Sequence, residues 1–243
     1  MRRDITKWWS PNLNREMEIV AYGHHGFALL LFPTAAADYL EYERFQLIDS
    51  IKPFIEAGQC KVYSINSINS ESWLNSEMQP RDKAIRHQQY NYYITEEVVP
   101  FIQNDCNGEA SIITSGASLG ALHAANSFFR RPDLFAGTLA MSGVYDLHTY
   151  SKGYWDETCY FNSPVHYVPN LGGAHLELLQ KKQHIYFTSG RGDYESPESS
   201  ILMGKILDAK GIPNTIDLWG PEYKHDWPTW RDMLPHYLNT KLR

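Results

Sequence analysis

Ser111-Ile112-Ile113-Thr114-Ser115-Gly116-Ala117-Ser118-Leu119-Gly120-Ala121-Leu122 decides how the rest of the chain is read. The apolar residues 111–114 read as a buried strand. Residues 116–120 form a G-x-S-x-G turn, and the small-residue run 119–129 reads as a helix. Strand, sharp turn and helix is the setting that lifts a serine hydroxyl clear of a sheet's carboxyl edge, where it can act as a nucleophile. A Cβ at either glycine would collide with the neighbouring strand or helix. The pentapeptide alone is weak. Three fixed positions match by accident in roughly one chain in twelve of this length at average usage.

Working outward, apolar runs alternate with helical periods. Residues 4–22 predict a hairpin, with strands 5–9 and 18–22 around Ser10-Pro11-Asn12-Leu13-Asn14. The continuous apolar run 27–32 suits a strand covered on both faces. Phe45, Ile48, Ile51 and Ile55 recur at helical spacing and predict a helix over 42–57. A strand at 61–65, a polar loop at 66–81 and a long helix at 82–104 follow, with Pro100 as its kink or terminator. Beyond the serine come strands at 137–142, 184–189 and 214–219 and helices at 197–210 and 228–238. Residues 144–180 are aromatic and rich in turns, and read as an excursion over one end of the sheet. The alternation predicts an α/β fold over 1–243, one domain, with a mostly parallel central sheet, helices on both faces and an N-terminal antiparallel hairpin.

Ligands of such sheets bind where strands end. The loop after 184–189 carries Gly190-Arg191-Gly192-Asp193-Tyr194-Glu195, and the loop after 214–219 carries His225. The chain order is serine, acid, histidine. An imidazole is needed to accept the Ser118 proton, and a carboxylate to fix the imidazole's tautomer. Asp193 is the favoured acid, three residues past Gly190. Glu195, with a longer side chain, is the alternative. The oxyanion donors are the Leu119 amide and an amide of the loop after 27–32, at Thr34 or Ala35. Among ten histidines, only His225 and His236 follow the last strand, and His236 sits late in the final helix. His123 reads as a packing residue. His24 and His25, read as strand neighbours, point to opposite faces, so no metal site is expected. Trp73, Tyr145 and Trp155 are candidate pocket walls, although core packing is the commoner fate of such residues. Asp38, Glu41 and Glu43 read as a solvated helix start.

The excess of 28 acidic over 22 basic residues gives a net charge of −6, which disfavours nucleic acid or an anionic membrane as partner. Cys60, Cys106 and Cys159 form no C-x-x-C pair and no disulfide framework. Met1-Arg2-Arg3 leads into no apolar h-region, and no run approaches 18 apolar residues. The cytoplasm is the default location. The sequence leaves oligomeric state open, a homo-oligomer included.

The chain resembles the "putative esterase" family of α/β-hydrolases, a group that includes esterase D-type S-formylglutathione hydrolases, feruloyl esterases and mycolyltransferases. The resemblance runs nearly the full length. It rests on Phe32-Pro33-Thr34, Tyr42-Glu43, Glu71-Ser72-Trp73, Gly116 to Gly120, Arg131-Pro132-Asp133-Leu134-Phe135, Met141-Ser142-Gly143, Asn162-Ser163-Pro164, Gly190-Arg191-Gly192-Asp193 and His225-Asp226-Trp227. It implies a cofactor-free serine esterase acting on a small-molecule ester, with Ser118, Asp193 or Glu195, and His225 in the family's catalytic positions. An acyltransferase or thioesterase on the same residues, or a hydrolase fold that only binds, is the alternative. Many hydrolases carry a glycine-rich oxyanion loop, where this chain has Pro33-Thr34-Ala35-Ala36-Ala37.

Overall fold

A computed structural model describes residues 1–108 and 110–242. Among these residues, eight strands form one sheet: β1 (Arg3–Ser10), β2 (Arg15–Tyr22), β3 (Phe27–Phe32), β4 (Cys60–Ile65), β5 (Ile112–Ala117), β6 (Gly137–Met141), β7 (His184–Ser189) and β8 (Thr215–Leu218). Their order is β1-β2-β4-β3-β5-β6-β7-β8. β1 and β2 form the antiparallel hairpin, β2 pairs antiparallel with β4, and every other pairing is parallel. The order reverses at β3, which lies between β4 and β5. A crevice opens beyond the carboxyl ends of the strands at such a switch point.

Among the described residues, eleven α-helical segments accompany the sheet: α1 (Glu41–Arg44), α2 (Leu47–Glu56), α3 (Pro80–Tyr93), α4 (Val99–Asp105), α5 (Leu119–Arg130), α6 (His148–Ser151), α7 (Glu157–Tyr160), α8 (Pro164–Tyr167), α9 (Gly173–Gln180), α10 (Pro197–Ala209) and α11 (Trp227–Thr240). Side-chain alternation on β3 shows why both faces are covered. Ala28, Leu30 and Phe32 join a core with Tyr90 and Tyr93 of α3, Phe128 of α5 and Met203 of α10. Leu29 and Leu31 point the other way, into a core with Ile51 of α2 and Leu234 of α11. A third cluster holds Trp73, Leu119, Leu122, Leu147 and Cys159, with Trp155 packed against it.

Two helices depart from the periodic reading. The helix expected over 42–57 is broken, because Gln46 adopts a left-handed φ of 62° between α1 and α2. Pro100 does not end the 82–104 helix. A π-helical turn, Ile94–Val98, precedes α4, and Pro100 lies in the first turn of that helix. Proline has no N–H and crowds the carbonyl four residues earlier, and the wider turn relieves both conflicts. His24 and His25 lie in the bend between β2 and β3, not on a strand. The excursion 144–180 contains α6 to α9 and a 3-10 turn, Val168–Asn170. No helix among the described residues is long and apolar enough to cross a membrane.

Candidate active site

Ser118 follows β5 directly and holds φ 57°, ψ −124°, a conformation that L-residues rarely adopt. Its amide donates to the Met141 carbonyl at 2.9 Å, which anchors the turn on β6. The flanking glycines let the chain pass through. A Cβ on Gly116 would stand 2.5 Å from the Gly120 backbone, and one on Gly120 would strike the carbonyls of Phe32 and Pro33. The serine turn is therefore packed directly against the loop that leaves β3.

His225 reaches the serine from β8. Three strand spacings separate the ends of β5 and β8, about 14 Å. The loop after β8 crosses toward the serine paired with the loop that leaves β7. His225 Nε2 lies 2.9 Å from Ser118 Oγ, across 107 residues of sequence. The edge of the Trp230 indole packs against the imidazole, with ring centres 5.2 Å apart at 86°.

The two candidate acids face different ways. Asp193 points to solvent, with 67 % of its side chain exposed, and pairs with Lys224 at 2.6 Å. Its contribution here is a backbone carbonyl, which accepts the His225 amide at 3.0 Å. Glu195 is the carboxylate that faces the imidazole. Its side chain has no exposed surface, and Oε2 lies 3.5 Å from His225 Nδ1. Ser142 donates to Oε1 at 2.6 Å and Ser189 donates to Oε2 at 3.0 Å. Trp230 Nε1 in turn donates to Ser142 Oγ at 3.1 Å. Burial raises the pKa of Glu195, but the facing His225 imidazole and the hydrogen bonds from Ser142 and Ser189 outweigh burial and hold it below the ordinary carboxylate range.

Two loops zipped together explain the offset. Gly192 donates to the Tyr223 carbonyl at 2.9 Å, and Arg191 to the Gly220 carbonyl at 3.2 Å. A Cβ on Gly190 would overlap the Tyr223 carbonyl, so only glycine allows this approach. The pairing carries the chain outward past Asp193. Tyr194, at φ 66° and almost fully exposed, then reverses it and turns Glu195 inward.

The loop after β3 holds the candidate oxyanion amides. Thr34, one of the two candidate amide donors of this loop, gives its N–H to Glu41 Oε2 at 2.8 Å and its hydroxyl to Glu41 Oε1 at 2.7 Å. The Leu119 amide, first in α5, lies beyond intrahelical pairing. The Ala35 amide has no protein acceptor among the described residues. Glu41 is thus buried, not the solvated helix start expected. Its neighbour Tyr42 ties the same loop to the serine turn, donating to the Phe32 carbonyl at 2.6 Å and accepting the Ala117 amide at 3.2 Å. Asn69 adds a third hold, donating to the Ala35 carbonyl at 3.0 Å while its own carbonyl lies 2.9 Å from His123 Nε2. Burial pushes His123 down to about 3, so the ring is neutral. No motif signals these holds, because Glu41, Asn69 and His123 meet only through the fold.

Glu41 yields a test of sign. Desolvation raises its pKa, against the opposing hydrogen bonds from Thr34. A carboxyl whose folded pKa is raised stabilises the fold most below its unfolded pKa, near 4.3, and loses that contribution as pH climbs through the folded value. Glu41→Gln keeps an acceptor for Thr34 and removes the titration. Relative to wild type, the Gln variant is therefore expected to gain stability between pH 4 and pH 8. Urea unfolding at both values checks this, and a difference that shrinks with rising pH contradicts it.

Of the expected pocket residues, Trp73 and Trp155 share the apolar cluster with Leu119. Tyr145 does not line a pocket. It is fully buried in the core and packs edge-on to Phe187.

A family model described as "Putative esterase" matches residues 64–241. The chain belongs to that family. Membership makes it a carboxylic ester hydrolase, and its fold is that of the α/β-hydrolases. Among solved structures similar to this esterase, a ferulic acid esterase shares 17 % identity over 100 % of this chain and 99 % of its own, with a TM-score of 0.77. An S-formylglutathione hydrolase from Agrobacterium tumefaciens shares 13 % identity, covering 98 % and 93 % of the two chains, with a TM-score of 0.75. A fluorophosphonate-binding serine hydrolase of Staphylococcus aureus shares 16 %, covering 100 % and 98 %, with a TM-score of 0.69. No curated protein sequence matches the chain.

Proposed function

We propose that this esterase works through an acyl-enzyme on Ser118. The observation that carries the reading is the 2.9 Å contact between His225 Nε2 and Ser118 Oγ at a strained, strand-terminal serine. Ser118 Oγ attacks the acyl carbonyl carbon as His225 takes the hydroxyl proton. Glu195, in preference to Asp193, keeps the Nδ1 proton facing it and stabilises the transient imidazolium. The Leu119 and Ala35 amides receive the developing oxyanion, each contributing roughly 3–4 kcal/mol to lowering the barrier. Collapse expels the alcohol, which leaves with the proton from His225. Water then repeats the sequence on the acyl-enzyme and frees the acid.

The apolar wall of Trp73, Leu119 and Trp155 receives the acyl group or an aromatic portion of the substrate. The 243 residues act as one catalytic unit, with 144–180 shaping that wall. Free thiols at Cys60, Cys106 and Cys159 suit a reducing compartment such as the cytoplasm.

A fluorophosphonate probe tests the acyl-enzyme directly, since it traps only an activated serine. Mass spectrometry of the labelled protein is expected to place the adduct on the peptide carrying Ser118. A preparation that turns over p-nitrophenyl acetate while the adduct sits on another residue refutes the reading.

A further inference from the structure

Asp146, His148 and His166 lie outside the chemistry described above, and they converge in the excursion. One donor atom from each can be chosen so that all three lie within 4.8 Å of one another. Asp146 Oδ1 is 2.9 Å from His148 Nδ1 and 3.9 Å from His166 Nδ1. Bonds of about 2.0–2.1 Å in a tetrahedral zinc site place neighbouring donors roughly 3.3 Å apart. The three groups therefore need only small side-chain adjustments to share an ion.

The cluster is held from several sides. Trp155 stacks face to face on His148, with centres 3.9 Å apart at 2°, and also flanks His166 at 4.6 Å. Ser163 Oγ meets His166 Nδ1 at 2.9 Å, and the His148 amide donates to Asp146 Oδ1 at 2.8 Å. His166 comes from α8, across the excursion from Asp146 and His148, so its arrival is a product of folding. The side chains stay open to solvent, at 42 % for Asp146, 51 % for His148 and 28 % for His166. That exposure gives an ion an entry path and leaves room for water as a further ligand. Two imidazoles and one carboxylate are a donor set suited to zinc and neighbouring first-row divalent ions, and poorly suited to calcium or magnesium.

We propose that Asp146, His148 and His166 form a binding site for a first-row divalent transition-metal ion, with zinc as the natural probe. The site is separate from the Ser118 chemistry and takes no part in it. It acts on the excursion, because Trp155, which lies against both imidazoles, also packs on the cluster that contains Leu119. A bound ion would cross-link residues 146–148 to α8 and stiffen that wall.

The test is zinc chloride titrated into the whole chain, followed calorimetrically and by competition with a chromophoric chelator. Wild type is expected to bind zinc and to melt at a higher temperature with it than without. His148→Ala and His166→Ala are each expected to weaken that binding at least ~10-fold and to abolish the thermal shift. Both replace partly exposed side chains, and circular dichroism verifies that they remain folded. If either variant misfolds, Asp146→Asn serves in its place. Zinc binding that is equal in wild type and variants, or no binding by wild type, overturns the proposal.

Discussion

Replacing Ser118 with alanine is expected to lower kcat/KM on p-nitrophenyl acetate by about 10⁶, to the floor set by the oxyanion amides and substrate binding alone. The reason is the position of the hydroxyl, 2.9 Å from an imidazole whose other nitrogen faces a buried carboxylate. Once the attacking oxygen is gone, proton transfer from it has nothing to serve. A companion variant isolates the strain. Ser118 sits at φ 57°, where a Cβ is disfavoured, at a cost of order 1–3 kcal/mol. Ser118→Gly is expected to be as inactive as the alanine variant but more stable than it by about 1 kcal/mol, after allowing for the extra freedom of glycine in the unfolded chain. For a chain of this size that is a melting shift of roughly 2–4 °C. A glycine variant that melts below the alanine variant would mean the turn stores no strain at this residue.

Glu195→Gln is expected to lower kcat by about 10⁴, the scale seen when a buried triad carboxylate becomes an amide and the imidazole is left in the wrong tautomer. Asp193→Asn is expected to change kcat by less than ~2-fold, because an exposed ion pair with Lys224 contributes little. The two variants separate the acids cleanly, since the residues stand two apart on one loop but one faces solvent and the other His225. Loss of activity in the Asp193 variant with the Glu195 variant unaffected would reverse the assignment. The stability readout has a definite sign as well. A carboxylate with a lowered folded pKa stabilises the fold above its unfolded pKa and loses that contribution as pH falls through the folded value. The Glu195→Gln variant should therefore be less stable than wild type at neutral pH, and the gap should narrow in acid. Urea unfolding at pH 7 and pH 3 measures it.

Much of the architecture was legible because it rests on short-range pattern. The continuous apolar run at 27–32 coincides with β3, since a strand covered on both faces favours apolar residues throughout, and the strand expected over 184–189 coincides with β7. The glycines around Ser118 marked the turn because no other residue allows so close a backbone approach. Breaks within helices were harder to see. The left-handed Gln46 and the π turn before Pro100 leave the apolar spacing nearly intact, so periodicity passes over them.

The chain's own letters determined the order of serine, acid and histidine loops and the alternating elements that bring strand ends to one edge. Those follow from local sterics and burial, which act over a few residues. Only the tertiary structure decided that Glu195 and not Asp193 faces His225, that Glu41 is sealed against Thr34, and that Tyr145 belongs to the core. Each of these depends on which backbone a loop zips to and which way a single reversed residue, such as Tyr194, turns the next side chain. Such choices are made by contacts between segments far apart in sequence, and no local pattern encodes them.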